Sequence, residues 1–258
     1  MAIITLTTDL GDKDIYQAAL KGSILKSLPT ANIADITHNV APFNVQQAAF
    51  ILKNSFHYFP ENTVHLIGID TVFNKDTKYL AVHYKNHFFV GSDNGIFSLM
   101  FDSEPDEMVE INIMQDLKFL HFPLADIFVK AACHLASGGK LKDIGLPVSG
   151  TEKKMNLQPV IEKNLIKGAV IYIDSFQNVI TNITKEFFNQ VQQGRHFTLS
   201  FKRNETINQL SWYYNEVPEG EKLCLFGISD HLEIAINKGN ASGLLGLSLG
   251  DTVIIDFE

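Results

Sequence analysis

Hydrophobic and polar residues alternate along the first half of the chain in a pattern that predicts strands separated by helices. Ile3–Thr8 alternates β-branched and apolar residues and ends at the turn Asp9-Leu10-Gly11. Further strands are predicted at residues 33–36 and 63–69, helices at 15–28 and 43–55, and a hairpin at 78–84 with 87–91. This alternation predicts an α/β sheet domain.

A polar stretch at residues 149–157 predicts a domain boundary, with an N-terminal domain at 1–150 and a C-terminal domain at 160–258. Strands are predicted beyond it at residues 165–174, 179–183, 196–201, 221–227, 231–236 and 252–257. Only one short helix is predicted there, near residues 185–193. The second domain is therefore expected to be smaller and mostly β.

Composition narrows the classes of function. The chain has 258 residues, 45% of them hydrophobic, and a formal net charge of -8. This charge argues against nucleic acid as a partner, which requires clustered Lys and Arg, and suits a cationic ligand better. No apolar run approaches the roughly 20 residues of a membrane span, so no membrane partner is expected. The start of the chain does not resemble a signal peptide, so a cytoplasmic location is expected.

Cys133 and Cys224 lie far apart in the sequence and have no CxxC motif or neighbouring His pair. The sequence therefore predicts neither a zinc site nor a disulfide framework, and both thiols are expected to be buried.

Three carboxylates each follow a predicted strand: Asp9, Asp70 and Asp174. Ligands of open α/β sheets bind at the carboxyl ends of the strands, and a carboxylate can accept hydrogen bonds from both hydroxyls of a ribose. Each aspartate alone could equally form an Asx turn or cap a helix.

Asp9, Asp12 and Asp14 also form an acidic cluster that could hold calcium or magnesium. Their spacing does not match the calcium-binding loop and no ligating Glu follows, so we predict no metal site.

Residues 174–182 read Asp-Ser-Phe-Gln-Asn-Val-Ile-Thr-Asn directly after a predicted strand. Asn can hydrogen-bond a purine edge, and Phe can stack on a base. The alternative is a turn in which Asn178 and Asn182 satisfy backbone groups.

Three more blocks accompany that segment, and together they carry a resemblance. Residues 4–11 read Ile-Thr-Leu-Thr-Thr-Asp-Leu-Gly, followed by Lys21-Gly22; residues 36–43 read Ile-Thr-His-Asn-Val-Ala-Pro-Phe; residues 232–241 read Leu-Glu-Ile-Ala-Ile-Asn-Lys-Gly-Asn-Ala. With these four blocks in order, the chain resembles the family of S-adenosylmethionine (SAM) hydroxide adenosyltransferases, which includes the fluorinase and the chlorinase.

The resemblance implies an N-terminal α/β domain, a C-terminal β-barrel-like domain and a homotrimer. The ligand would lie between the N-terminal domain of one subunit and the C-terminal domain of the next. SAM would be the substrate or ligand, and no further cofactor is implied. The family reaction is displacement at the ribose C5′ carbon, with methionine as the leaving group.

Matching positions imply the site residues. Asp9 would hold the ribose hydroxyls, and Asp14 with Asp174 would face the methionyl ammonium. The remaining positions are Phe43, Phe73 and Phe122 around the ribose and sulfonium, Phe176 and Asn178 on adenine, the backbone near Ile236 and Lys238 on adenine, and Ser229 or His231 at the methionyl carboxylate. With 19 Phe in the chain, ordinary core packing is the alternative for each phenylalanine.

The pattern departs from the family around the water-activating group. Asp70 matches the catalytic Asp, but Thr77 stands in the place of the Arg and Pro123 in the place of the His. Lys78 and His121 lie beside these positions and could form a rearranged set, with His121 in a strand facing the same side as residue 123. The alternative is that His121 is a strand histidine with no part in catalysis.

Two hypotheses follow from this pattern. The first is a SAM hydrolase that forms adenosine and L-methionine, with Asp70 orienting the water. The second is a SAM or adenosine binding protein that has lost hydrolysis together with the Arg and His. Halogenase activity is disfavoured, because the charge of Asp70 would repel a halide.

Overall fold

The computed structural model describes residues 2–72, 77–202 and 205–258. The chain forms two compact units, one ending at Asn156 and the other beginning at Leu157. Within the described ranges, every helix is too short or too polar to cross a bilayer.

A seven-stranded mixed sheet forms the centre of the N-terminal unit. Its strands are β1 (Ile3–Thr8), β2 (Asn32–Thr37), β3 (Val64–Gly68), β4 (Tyr79–Tyr84), β5 (His87–Ser92), β6 (Glu107–Ile111) and β7 (Gly145–Pro147). They lie in the order β2-β1-β3-β5-β4-β6-β7, and the first four in this order are parallel. The carboxyl ends of β1, β2, β3 and β5 therefore meet at one edge of the sheet.

Helices cover both faces of this sheet. They are α1 (Ile15–Ser27), α2 (Val45–Lys53), α3 (Ile96–Met100) and α4 (Ile127–Ala136). Ile4 and Leu6 of β1 point to the face covered by α1 and α4, whereas Ile67 and Leu80 pack with α2 and α3. Because side chains of a strand alternate between faces, the buried strands supply apolar residues to both layers.

The hairpin of β4 and β5 is confirmed. Lys85 and Asn86 both have left-handed backbone, with φ of 49° and 62°, and Tyr84 pairs with His87. Two left-handed residues are what a type I′ turn requires, and this turn matches the twist of the two strands.

The C-terminal unit is an antiparallel sheet that is nearly closed into a barrel. Its strands are β8 (Val160–Ile161), β9 (Leu165–Ile173), β10 (Val179–Thr184), β11 (Phe197–Phe201), β12 (Glu205–Ile207), β13 (Lys222–Phe226), β14 (His231–Ile236) and β15 (Thr252–Phe257), with helices α5 (Lys185–Gln192) and α6 (Ala241–Leu245). The main order is β12-β11-β15-β9-β10-β14-β13, and β8 pairs with β9. The segment after β12 reaches back to β13, where Ser211 N donates to Cys224 O (2.8 Å), so the two edge strands approach each other.

The fold class is confirmed as an α/β sheet domain followed by a barrel-like β domain. The strands predicted in the second half are confirmed to within one or two residues. Helices α3, α4 and α6 and strands β6, β7, β8 and β12 were not predicted, and α6 adds a second helix to the one expected in the C-terminal domain. Cys133 and Cys224 are buried free thiols, as expected.

The expected strand at His121 was wrong. His121 lies in a turn between two short 3₁₀ segments, Leu117–Phe119 and Pro123–Ala125. Pro123 cannot donate to a strand ladder, and its fixed φ suits the first position of a helical turn, so the chain turns into α4 instead of extending.

Candidate ligand site

Three polar residues follow neighbouring strands at the carboxyl edge of the N-terminal sheet. Asp9 follows β1, His38 follows β2, and Asp70 lies two residues beyond β3. Because β1 pairs in parallel with both neighbours, and neighbouring strands lie about 4.8 Å apart, these three strand ends are adjacent. His38 belongs to a block of the resemblance, but no role was predicted for it. Its position directly after a strand, like that of Asp9, was the available signal.

Asp9 joins two loops. Its Oδ2 accepts a hydrogen bond from Phe43 N at 2.9 Å. Phe43 has left-handed backbone with φ of 64°, and the residue is 66% exposed. Among the described residues, Asp9 Oδ1 accepts no hydrogen bond, so one carboxylate oxygen can meet a hydroxyl while the other fixes the loop.

Asp70 is held by its neighbours through the backbone. Asn94 Nδ2 donates to Ile69 O (3.0 Å), and Tyr79 OH donates to Thr71 O (3.4 Å). Asp70 has φ of 47°, which is uncommon for a residue other than glycine. Residues with such backbone conformations concentrate at functional sites. Its exposed carboxylate forms no hydrogen bond or ion pair with any described residue. Such a carboxylate can orient a water molecule and accept its proton.

Asp14 and Phe122 lie at the start of α1. Asp14 takes the N-cap position, but its exposed side chain accepts no backbone N–H of the helix. Phe122 packs edge-on against Tyr16, with ring centroids 5.4 Å apart. Phe73 lies outside the described residues. In residues 2–72, 77–202 and 205–258, no three His, Cys, Asp or Glu side chains are grouped closely enough to hold a metal.

The contacts do not join Asp70, Lys78 and His121. Lys78 Nζ lies 3.6 Å from Glu110 Oε2, and His121 is exposed in its turn. Thr77 is half-buried, and Pro123 is buried. The rearranged set of Asp70, Lys78 and His121 therefore stays a prediction.

In the C-terminal unit, Asp174 and Asn178 form a tight turn between β9 and β10. Asp174 Oδ1 accepts from Asn178 N (2.8 Å), and Oδ2 accepts from Asn178 Nδ2 (3.1 Å). Phe176 stands at the tip of the turn and is 80% exposed, so its ring is accessible for stacking. Asn182, by contrast, satisfies backbone groups at Ala169 N and Leu157 O, which was the alternative considered for both asparagines.

The strand register shows which predicted residues share an end of the barrel. Val179 pairs with Ile234, and Ser242 N donates to Gln177 O (3.0 Å), so the turn at 174–178 lies beside Ile236 and Lys238. Lys238 has left-handed backbone, with φ of 53°. Ser229 precedes β14, where His231 pairs with Thr184, and therefore lies at the other end of the strand. The six residues of β14 span five rises of about 3.4 Å, which place these two ends about 17 Å apart.

Glu233 is a buried acid that the sequence did not single out as a site residue. Its Oε1 accepts a hydrogen bond from Tyr214 OH at 2.6 Å, and its side chain is 6% exposed. Desolvation raises the pKa of Glu233 and the charge of Asp174 adds to this effect, although the Tyr214 hydrogen bond opposes it. A glutamate inside the apolar strand Leu232-Glu233-Ile234 was the available signal. The acidic surroundings of Asp174 favour a cation.

Two family models match the chain. Residues 4–145 match the SAM hydroxide adenosyltransferase N-terminal domain, and residues 168–254 match the C-terminal domain of the same family. The chain belongs to the SAM hydroxide adenosyltransferase family. The resemblance in the four sequence blocks is thereby confirmed.

Named relatives of this family member include hydrolases and halogenases. The chain is 28% identical to the (R)-S-adenosyl-L-methionine hydrolase of Methanocaldococcus jannaschii, over 98% of this chain and 95% of that protein. It is 22% identical to the fluorinase of an Actinoplanes species, over 70% of this chain and 71% of that protein. The crystal structure of an uncharacterized conserved protein from Thermotoga maritima superposes with a TM-score of 0.89 at 30% identity, covering 98% of this chain and 99% of that chain.

Proposed function

We propose that this chain is a SAM hydrolase, which converts SAM and water to adenosine and L-methionine. The observation that carries the proposal is Asp70, an exposed carboxylate without a partner among the described residues, at the same sheet edge as Asp9. Full-length similarity to proteins named SAM hydrolase supports turnover over binding alone. The fluorinase of an Actinoplanes species matches at lower identity and coverage than these hydrolases.

The reaction breaks the bond between C5′ and sulfur and forms a bond between C5′ and the water oxygen. Both electrons of the broken bond stay on sulfur, so methionine leaves as a neutral thioether and needs no acid. The water must lose a proton. Asp70 is the proposed group that orients the water and accepts this proton. The protein otherwise contributes orientation and exclusion of bulk water.

The proposed binding roles follow the two halves of the substrate. In the N-terminal unit, Asp9 binds the ribose hydroxyls and Asp14 faces the methionyl ammonium, with Phe43, Phe73 and Phe122 around the ribose and sulfonium. Aromatic faces suit a sulfonium because they attract cations.

In the C-terminal unit, Phe176 stacks on adenine, and Asn178 with the backbone at Ile236 and Lys238 binds its edge. Asp174 faces the ammonium. Ser229 remains the proposal for the methionyl carboxylate, at the far end of β14 from the adenine residues.

A binding protein without turnover is the alternative, since Thr77 and Pro123 stand where the family pattern has Arg and His. Assembly as a homotrimer, a cytoplasmic location and the lack of any cofactor besides SAM also stay predictions. The ligand would lie between the N-terminal domain of one subunit and the C-terminal domain of the next.

The decisive experiment is incubation of the purified protein with SAM, with adenosine and methionine followed by chromatography. A hydrolase releases the two products in equal amounts, in proportion to enzyme concentration. SAM and adenosine affinities are measured by calorimetry on the same preparation. Tight SAM binding with no product above the spontaneous rate would favour the binding protein, and failure to bind either ligand would refute both.

A further inference from the structure

A buried threonine and a buried histidine contact each other beneath the Asp9 turn. Thr8 is the last residue of β1 and is fully buried, and His38 follows β2 and is 5% exposed. Thr8 Oγ1 lies 2.7 Å from His38 Nδ1. The same hydroxyl oxygen accepts a hydrogen bond from Leu10 N at 3.4 Å, so this contact reaches directly into the turn that carries Asp9.

Backbone hydrogen bonds connect the same two loops. Gly11 N donates to His38 O (2.7 Å), and Val40 N donates to Thr8 O (3.3 Å). Together with the bond from Phe43 N to Asp9 Oδ2, they join residues 8–11 to residues 38–43 along their whole length. His38 contributes both its carbonyl and its ring to this connection.

The outer side of the His38 ring faces a carboxylate. His38 Nε2 lies 3.1 Å from Asp35 Oδ1, close enough for attraction although the atoms are not aligned as in a hydrogen bond. Asp35 Oδ2 accepts a hydrogen bond from Lys21 Nζ of α1 at 2.5 Å. A carboxylate on this side favours the proton on Nε2, which leaves Nδ1 to accept the Thr8 hydroxyl.

We propose that His38 and Thr8 are positioning residues, which hold the Asp9 turn and the Phe43 loop in the conformation that binds the ribose of an adenosine-containing ligand. The proposal rests on the proposed function, because Asp9 is the ribose-binding residue of that function. It gives a role to His38 and Lys21, which lie in two of the blocks that carry the family resemblance. Neither residue needs to touch the ligand.

Strain at Phe43 explains why such a connection is needed. Phe43 holds φ of 64°, a backbone conformation that is unfavourable for an L-residue and persists only where the surroundings fix it. Asp9 supplies the bond to Phe43 N, and Asp9 itself is fixed only if the turn at 8–11 is fixed. Losing the Thr8 hydroxyl should therefore displace both ligand-binding groups together.

The chain contains a matched control on the same strand. Thr5, like Thr8, is a fully buried residue of β1 whose Oγ1 lies 2.7 Å from the Nδ1 of a histidine, in this case His65. Thr5 lies in the middle of the strand and makes no contact with the Asp9 turn. Thr5→Val and Thr8→Val therefore remove equivalent hydroxyls with similar expected shifts in the urea midpoint of unfolding, and only one of these hydroxyls supports the site.

The experiment measures adenosine affinity by calorimetry and SAM hydrolysis for the wild type, Thr8→Val, Thr5→Val and Thr8→Ser. Thr8→Val should raise the adenosine Kd and the KM for SAM about tenfold, the effect of one lost hydrogen bond, with kcat within about twofold of wild type. Thr5→Val should bind as the wild type does. Thr8→Ser keeps the hydroxyl and should restore affinity to within about twofold.

Equal loss of affinity in Thr8→Val and Thr5→Val would overturn the proposal, because both hydroxyls would then act only through stability. Wild-type affinity in Thr8→Val would overturn it as well. If Thr8→Val does not fold, Asp35→Asn tests the same ring from its Nε2 side. This variant should weaken adenosine binding severalfold, and an unchanged Kd overturns the proposal. A wild-type protein that binds no adenosine would refute the proposed function first, before any variant is compared.

Discussion

Several candidate site residues adopt backbone conformations that L-residues usually avoid. Phe43, Asp70 and Lys238 all have positive φ, as does Gln177, the neighbour of Asn178. Left-handed backbone at non-glycine residues persists only where the surroundings fix it, and it concentrates at functional sites. Asn94 and Tyr79 fix the backbone on either side of Asp70, and Asp9 fixes Phe43. Left-handed backbone is therefore present at proposed site residues in both units, although it also occurs in ordinary turns such as Lys85-Asn86.

Asp70→Asn tests the chemical role of Asp70. Asn has nearly the same size and tolerates left-handed backbone, so the local structure should persist. Without a carboxylate to accept the proton of water, kcat for SAM hydrolysis should fall about 100-fold or more. The Kd for SAM should stay within about threefold of wild type. A matching loss of affinity and turnover would place Asp70 in binding rather than in chemistry.

Asp9 combines two roles that substitution can separate. Asp9→Ala removes both the ribose acceptor and the bond to Phe43 N, so affinity for every adenosine-containing ligand should fall about 10- to 100-fold. Asp9→Asn keeps an oxygen for Phe43 N and should lose less. Calorimetry with adenosine and with SAM measures both variants. Unchanged affinity in Asp9→Ala would refute the assignment to ribose.

At the scale of elements, the three parallel strands β1, β3 and β5 are connected by a buried series of polar side-chain contacts, which lies away from the ligand site. Thr5 Oγ1 lies 2.7 Å from His65 Nδ1, and His65 Nε2 lies 3.2 Å from His87 Nδ1. The His65 ring stacks on Phe89 at 4.8 Å. Burial, and then the neighbouring His87, lowers the pKa of His65 from 6.5 to about 3. The two rings share one hydrogen bond, so at least one of the facing nitrogens must be unprotonated.

This chain of contacts predicts a loss of stability in acid. The unfolded protein takes up a proton at His65 near pH 6.5, whereas the folded protein resists it until about pH 3. The stabilisation is therefore complete above pH 6.5 and is lost as the pH falls toward 3, by at most about 1.4 kcal/mol per pH unit for this group. Urea unfolding of wild type and His65→Gln between pH 7.5 and pH 4.5 measures it. The variant should show the shallower dependence, and parallel curves would contradict the assignment.

At the scale of the whole molecule, the proposed site residues are divided between two compact units. Asp9, Asp14 and Asp70 belong to the unit that ends at Asn156, and Asp174 and Asn178 belong to the unit that begins at Leu157. In the proposed homotrimer, each site combines the N-terminal domain of one subunit with the C-terminal domain of another. Sedimentation equilibrium should then give about three times the 28.8 kDa mass of the chain.

Mixed subunits test the shared site directly. Asp70→Asn and Asn178→Ala each damage one half of the site, so each variant alone should hydrolyse SAM slowly. Trimers assembled from equal amounts of both variants should regain about one quarter of wild-type activity, because that fraction of sites combines two intact halves. No recovery in confirmed mixed trimers would show that each site is built within a single chain.

Most of the strands, the two classes of domain and the polar residues at strand ends could be predicted from the sequence, whereas the short or edge strands β6, β7, β8 and β12 could not. These features depend on local alternation of apolar and polar residues, on turn residues, and on which residue follows a strand. The resemblance of four short blocks also sufficed to predict the family that the two matching domains confirm.

Only the tertiary structure decided which polar side chains contact each other. Thr8 and His38 lie 30 residues apart, and their contact depends on the parallel pairing of β1 and β2. The same is true of Lys78, which lies near Glu110 because β4 pairs with β6, and of Ser229, which the register of β14 places far from Asn178. Local patterns determine which element each segment forms. The pairing of strands that are distant in sequence determines which side chains are neighbours, because a shift of one residue in the register would turn each side chain to the other face of the sheet.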